Sequence, residues 1–131
     1  MSIVHRYTQE QEALMEFNSA LPIYLQVVTA IKREIVTGRI ALGEKLPSGR
    51  DLALLYTINP NTASRVYKEL ESAGICFTRR GLGTFVSEDP DLVKRLREEM
   101  AQELLEQFLE GMKNLGISRE EAVELIRKGD L

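Results

Sequence analysis

Two helix-start signals stand so close together in the middle of this chain that the helix between them can be only about two turns long. The first is Ser48-Gly49-Arg50-Asp51, where the serine caps a helix and the aspartate stands three residues on to cap back. The second is Asn59-Pro60, an N-cap followed by a residue whose fixed φ and missing N–H suit the first helical position. A short helix over 49–56 and a second over about 60–73, stopped at Gly74, are therefore joined by a tight link. Upstream, Pro22 opens a further helix in which Ile23, Val27, Ile31 and Ile35 recur at spacing four, with Tyr24 and Val28 widening the stripe to near Gly38.

After Gly74 the period changes. Ile75-Cys76-Phe77-Thr78 and Thr84-Phe85-Val86 read as two short strands around the basic, glycine-bearing loop Arg79-Arg80-Gly81-Leu82-Gly83. Three helices followed by a hairpin make a winged helix-turn-helix over 21–87, with a small core of about 65 residues. The fold class expected is mainly α with a small β-wing (α+β).

Beyond it, in 88–131, Pro90 is read as opening a long helix with Val93, Leu96, Met100, Leu104, Leu105, Phe108, Leu109 and Met112 on one broad face. Ser118-Arg119-Glu120-Glu121 caps a last short helix carrying Ala122, Leu125 and Ile126. A helical hairpin of about 40 residues cannot bury that much apolar surface alone. A second copy of the chain is the simplest partner, which assigns Leu96, Met100, Leu104, Phe108 and Met112 to a homodimer interface; folding back on the winged region is the alternative. Residues 1–20 form an N-terminal extension.

Charge divides along the same lines. The net charge of −3 over 131 residues conceals nine Lys or Arg against five acids in residues 22–86, a net of +4. Residues 87–131 carry seven against twelve, a net of −5, and residues 1–21 carry −2. Opposite signs in adjacent segments point to separate tasks.

On the third helix, Ala63, Val66, Leu70 and Ala73 point one way and Asn61, Ser64, Arg65 and Lys68 the other, at ~100° per residue. Asparagine pairs with adenine, arginine and lysine with guanine or phosphate, and serine with either, so this face suits a major groove. A solvated helix face has the same composition, so the flanking cations decide. Arg50 lies in the first turn of the second helix beside the cap Ser48, where backbone N–H groups can meet phosphate. Arg79 and Arg80, with Gly81 allowing close approach, can reach a minor groove or backbone.

Leu46-Pro47-Ser48-Gly49-Arg50-Asp51-Leu52-Ala53, Asn59-Pro60-Asn61-Thr62 and Gly81-Leu82-Gly83-Thr84-Phe85-Val86 together closely resemble the GntR family of bacterial regulators, over about half the chain. Ile58-Asn59-Pro60-Asn61-Thr62 and the short helical tail resemble its YtrA-type subfamily. The resemblance implies a homodimer on palindromic double-stranded operator DNA, usually a repressor, and in this subfamily often of transporter genes. It places DNA contacts at Arg50, Pro60, Asn61, Thr62, Ser64 and Gly81, to which the capping Asn59 is added. Pro60 and Ser64 stand where other branches carry base-reading arginines, so Asn61 and Arg65 are expected to take more of the recognition.

Other classes find less support. A winged helix that binds a protein would expose an apolar helix face, and Asn61, Ser64, Arg65 and Lys68 speak against it. No nucleophile with its base, metal cluster or phosphate loop marks an enzyme, and no cofactor or metal is implied. Cys76, the single cysteine, and His5, the single histidine, are read as a buried filler and a surface residue. The longest uncharged stretch, Phe17 to Ile31, is too polar to span a membrane, and the N-terminus carries no secretory signal, so a cytoplasmic protein is expected. With about 45 residues in the tail, an unknown small-molecule effector would bind at the dimer interface or between tail and winged region.

Overall fold

The computed structural model describes residues 20–129. Its elements are α1 (Ile23–Val36), α2 (Gly49–Tyr56), α3 (Pro60–Ser72), β1 (Cys76–Arg79), β2 (Gly83–Val86), α4 (Leu92–Asn114) and α5 (Arg119–Lys128). The chain divides into two compact units between Val93 and Lys94. His5 and nearly all of the expected N-terminal extension lie outside the described residues.

The first unit is a mainly α fold with a two-stranded antiparallel wing. Val27, Val28, Ile31 and Ile35 of α1 pack with Leu52, Ala53 and Tyr56 of α2 and Ala63, Val66, Tyr67 and Leu70 of α3, all buried. Pro22 is the cap of α1 rather than its first residue, and Ile23, expected in the stripe, is 46% exposed because it precedes the point where the helix meets α3. The expected core position Ala73 becomes the exposed C-cap of α3, and Tyr67 takes its place inside. The sequence periodicity passes over Tyr67 because its ring is amphipathic: the body fills the core while the phenol donates to the Pro47 carbonyl.

The turn between α2 and α3 is held by Thr57 N–H to the Leu54 carbonyl and Ile58 N–H to the Ala53 carbonyl. It places Thr57 at φ 52°, a left-handed conformation costly for a β-branched residue, so the helix-turn-helix geometry is imposed by packing on both sides.

The wing pairs Cys76 with Val86, Phe77 with Phe85, Thr78 with Thr84 and Arg79 with Gly83. Residues 43–46 run beside β2, through Leu46 N–H to the Thr84 carbonyl (2.8 Å), Val86 N–H to the Glu44 carbonyl (2.9 Å) and an antiparallel bridge from Lys45 to Phe85. The first strand is shifted by one residue from the expected span, and the second begins one residue earlier and ends where expected. Ile75 stays outside as a buried core residue, and Arg79 and Gly83 join the ladder, leaving Arg80-Gly81-Leu82 as the tip.

At the end of the first unit Pro90 and Asp91 form a turn, with Asp89 Oδ1 accepting from the Asp91 N–H, and α4 starts at Leu92 instead of Pro90. Ser118 caps α5 by accepting from the Glu121 N–H (3.1 Å). Leu96 and Ala122 are buried, while Leu104, Leu105, Leu115, Val123, Leu125 and Ile126 are exposed.

Two buried acids make the winged unit sensitive to alkali. Burial, aided by the Glu71 charge, pushes the Cys76 thiol up from 9.0 to about 12, and burial carries the Tyr67 phenol still higher above its ordinary 10.0. The unfolded chain therefore loses protons that the folded chain keeps, and stability falls as pH rises. Urea midpoints should be level up to pH 9.0 and decline from there toward about 12. In Cys76→Ala the decline should begin nearer 10.0, where unfolded Tyr67 ionises.

Candidate nucleic-acid interface

The cap residues position α3. Asn59 Oδ1 accepts from the Asn61 N–H at 2.8 Å, which commits that carboxamide oxygen to the helix end. The Asn61 side chain, one residue past Pro60, is exposed. Along the same face Ser64, Arg65 and Lys68 are exposed, while Thr62 is half-buried at its edge. The opposite face is closed by Ala63, Val66, Tyr67 and Leu70.

The two flanks of this helix differ. On one, the Arg65 guanidinium lies over the Tyr24 ring of α1, 3.8 Å from the ring centre. On the other, Glu71 accepts a hydrogen bond from the Thr78 hydroxyl of the wing, and Thr78 in turn meets Thr84 across the hairpin at 3.2 Å. This chain of polar contacts ties the wing to the last turns of α3. A groove of about 310 Å³ runs between them, lined by Gly49 of α2, Ser64 and Lys68 of α3 and Thr78 and Thr84 of the wing. Three elements expected to share a surface are thus brought to one groove.

Ser48 Oγ accepts from the Asp51 N–H at 3.1 Å, so its hydroxyl is occupied as a cap while Arg50 projects exposed from the first turn of α2. A wider depression of about 570 Å³ joins this helix start to the wing, where Lys45, Ser48, Arg79, Arg80 and Gly81 contribute to its wall. Arg79 is a strand residue whose guanidinium sits over Phe77 at 5.4 Å, and Phe77 stacks with Phe85 (5.9 Å between ring centres). Only Arg80 of the pair stands at the tip, beside Gly81 at φ +79°.

Lys45 is a cation at the wing that sequence reasoning left unused. Gly83, at φ +124°, holds a conformation that favours glycine, and a Cβ there would lie 2.8 Å from Lys45 Cε, so any side chain would also make the lysine end move aside. The signal was present in the alternation around Lys45-Leu46, but pairing with β2 is a long-range event. The roles of Tyr24, Glu71, Thr78 and Thr84 were missed for the same reason.

Among the described residues no three His, Cys, Asp or Glu side chains gather as a metal site, and no helix is long and apolar enough to cross a membrane. In the tail, Leu109, Met112, Lys113, Ile117 and Arg119 border a cleft of about 260 Å³, below the ~300–1,000 Å³ usual for small-molecule sites. Of the residues assigned to a dimer interface, Leu96 is already buried within the chain, Met100, Phe108 and Met112 are half-buried and Leu104 is 65% exposed.

The model for bacterial regulatory proteins of the gntR family matches residues 23–86. The HTH-type transcriptional repressor YtrA of Bacillus subtilis (strain 168) is 39% identical over 112 residues, covering 84% of this chain and 85% of the repressor. The chain belongs to the GntR family. Within it the YtrA-type branch is the one it resembles in both sequence and length. A GntR-family transcriptional regulator from Listeria monocytogenes superposes with a TM-score of 0.79 at 39% identity, over 87% of this chain and all of the other. The AraR DNA-binding domain in complex with operator ORR3 superposes at 0.50 and 31% identity, over 56% of this chain and 87% of that one. The GntR match coincides with the winged unit from α1 to β2, and the protein is a transcriptional regulator with a DNA-binding helix-turn-helix.

Proposed function

We propose that this GntR regulator is a homodimeric repressor that reads a palindromic operator with α3 in the major groove. The observation that carries this reading is the groove shared by α2, α3 and the wing, lined by Ser64, Lys68, Thr78 and Thr84, beside a depression walled by Lys45, Arg79 and Arg80, with Arg50 and Asn61 exposed on α2 and α3 in a segment of net +4. Phosphate contacts fall to Arg50, Lys45, Arg79 and Arg80, and base contacts to Asn61 and Lys68, with Ser64 beside them. The tail, 88–131, supplies the dimer contact through Met100, Leu104, Phe108 and Met112, and two recognition helices then meet half-sites about 34–36 Å apart. The YtrA-type resemblance extends the reading to transporter genes as targets, in the cytoplasm. An effector, if bound, meets the dimer contact rather than the small cleft of one tail.

Selection of bound duplexes from a random DNA pool tests this reading. It should yield an inverted repeat, and affinity for it should fall steeply with salt as phosphate counterions are displaced. Binding indifferent to salt, or no enriched sequence, would defeat it. Asn61→Ala should then cost about 1–3 kcal/mol of discrimination at one base pair of each half-site, with little loss on scrambled DNA, as read by competition binding.

A further inference from the structure

Arg65 was expected among the base readers, yet its guanidinium lies 3.8 Å from the centre of the Tyr24 ring. Tyr24 belongs to α1, a different element, and is half-buried. Among the described residues no carboxylate pairs with Arg65, so the ring is what orders this long side chain. A guanidinium over an aromatic face keeps its edge N–H donors free, and the conformational entropy of the arginine is spent before any ligand arrives.

We infer that Tyr24 is a positioning residue for DNA binding: its ring seats Arg65 on the α1 flank of the recognition helix, where Arg65 clamps the phosphate backbone instead of reading a base. The inference rests on the DNA-binding face proposed above. A helix with its side chains is about 10–12 Å wide and the major groove about 12 Å, so the middle of the exposed face meets base edges and the flanks meet the groove walls. On the helical wheel Asn61 and Lys68 fall near the middle, within ~20° of each other, and Arg65 lies ~40° from Asn61. Glu71 and Ser64 mark the opposite flank, facing the wing. An arginine drawn back onto a neighbouring helix points across the groove wall, where the phosphates stand.

The test uses the full-length protein, the duplex recovered by selection and a scrambled duplex of the same composition. Tyr24→Leu should weaken binding to both duplexes by the same factor, roughly two- to fivefold, and Tyr24→Phe should bind as wild type. Arg65→Gln should weaken both and lower the salt slope by about one. In the Arg65→Gln background, Tyr24→Leu should have no further effect. Arg65→Lys keeps the charge on an exposed position without the planar stack, so it should reproduce the Tyr24→Leu loss with an unchanged slope, whatever Tyr24→Leu does to stability.

The inference is overturned if Tyr24→Leu binds both duplexes as wild type does. It also falls if Tyr24→Leu still weakens binding without Arg65, or if Arg65→Gln changes the selected sequence while sparing scrambled DNA. If the wild type binds neither duplex, the DNA reading itself fails.

Discussion

Leu104→Glu should convert the protein to a monomer and weaken operator binding about a hundredfold or more. Leu104 is 65% exposed within its own chain, and Leu105, Leu115, Val123, Leu125 and Ile126 of the same helical hairpin are also exposed. So many large apolar side chains exceed what a soluble surface ordinarily leaves uncovered, and a second tail is the partner our proposal assigns. A charge in that contact would be buried without a partner, which the interface cannot tolerate. The chain itself loses nothing, because the side chain touches water there, so thermal melting of the winged unit should be unchanged. Each head alone makes half the contacts, and the second binding event no longer benefits from linkage to the first. Sedimentation of the variant as a dimer would remove α4 from the interface.

Leu70→Ala and Lys68→Ala should separate folding from binding on one helix. Leu70 is fully buried in the core of the winged unit, and its truncation should cost about 3–5 kcal/mol through lost transfer energy and the cavity left behind. For a winged unit this small that is a large part of the ~5–15 kcal/mol total, so the variant should melt many degrees lower and bind no operator at working temperature. Lys68, two residues away, is exposed. Its truncation should leave urea unfolding unchanged while lowering affinity for the selected operator more than for scrambled DNA, as loss of a base contact does. Equal loss of stability in the two variants would mean that α3 does not present the face described.

Much of this was legible in the residues. Ser48 and Asn59 cap α2 and α3 where the motifs placed them, because a cap is a contact over two or three residues and depends on little else. The GntR resemblance rested on runs whose spacing the fold preserves, and the family match covers the segment they span. The winged helix-turn-helix followed from local period and punctuation alone.

What the sequence could not decide involves elements distant along the chain. Tyr67 replaced Ala73 in the core because the wing and the α1–α2 link leave room for a ring whose hydroxyl finds the Pro47 carbonyl. Arg79 left the tip for a strand because the ladder extends to Gly83, and Lys45 came to the wing through pairing with Phe85. Arg65 shares a helical face with Asn61 in any wheel drawn from the sequence, but only packing of α1 on α3 brings Tyr24 beneath it. Caps, turns and periods are set by neighbours within a few residues, so the chain determines them by itself. The direction a long cation takes is set by what the fold puts beside it, and that the tertiary structure alone decides.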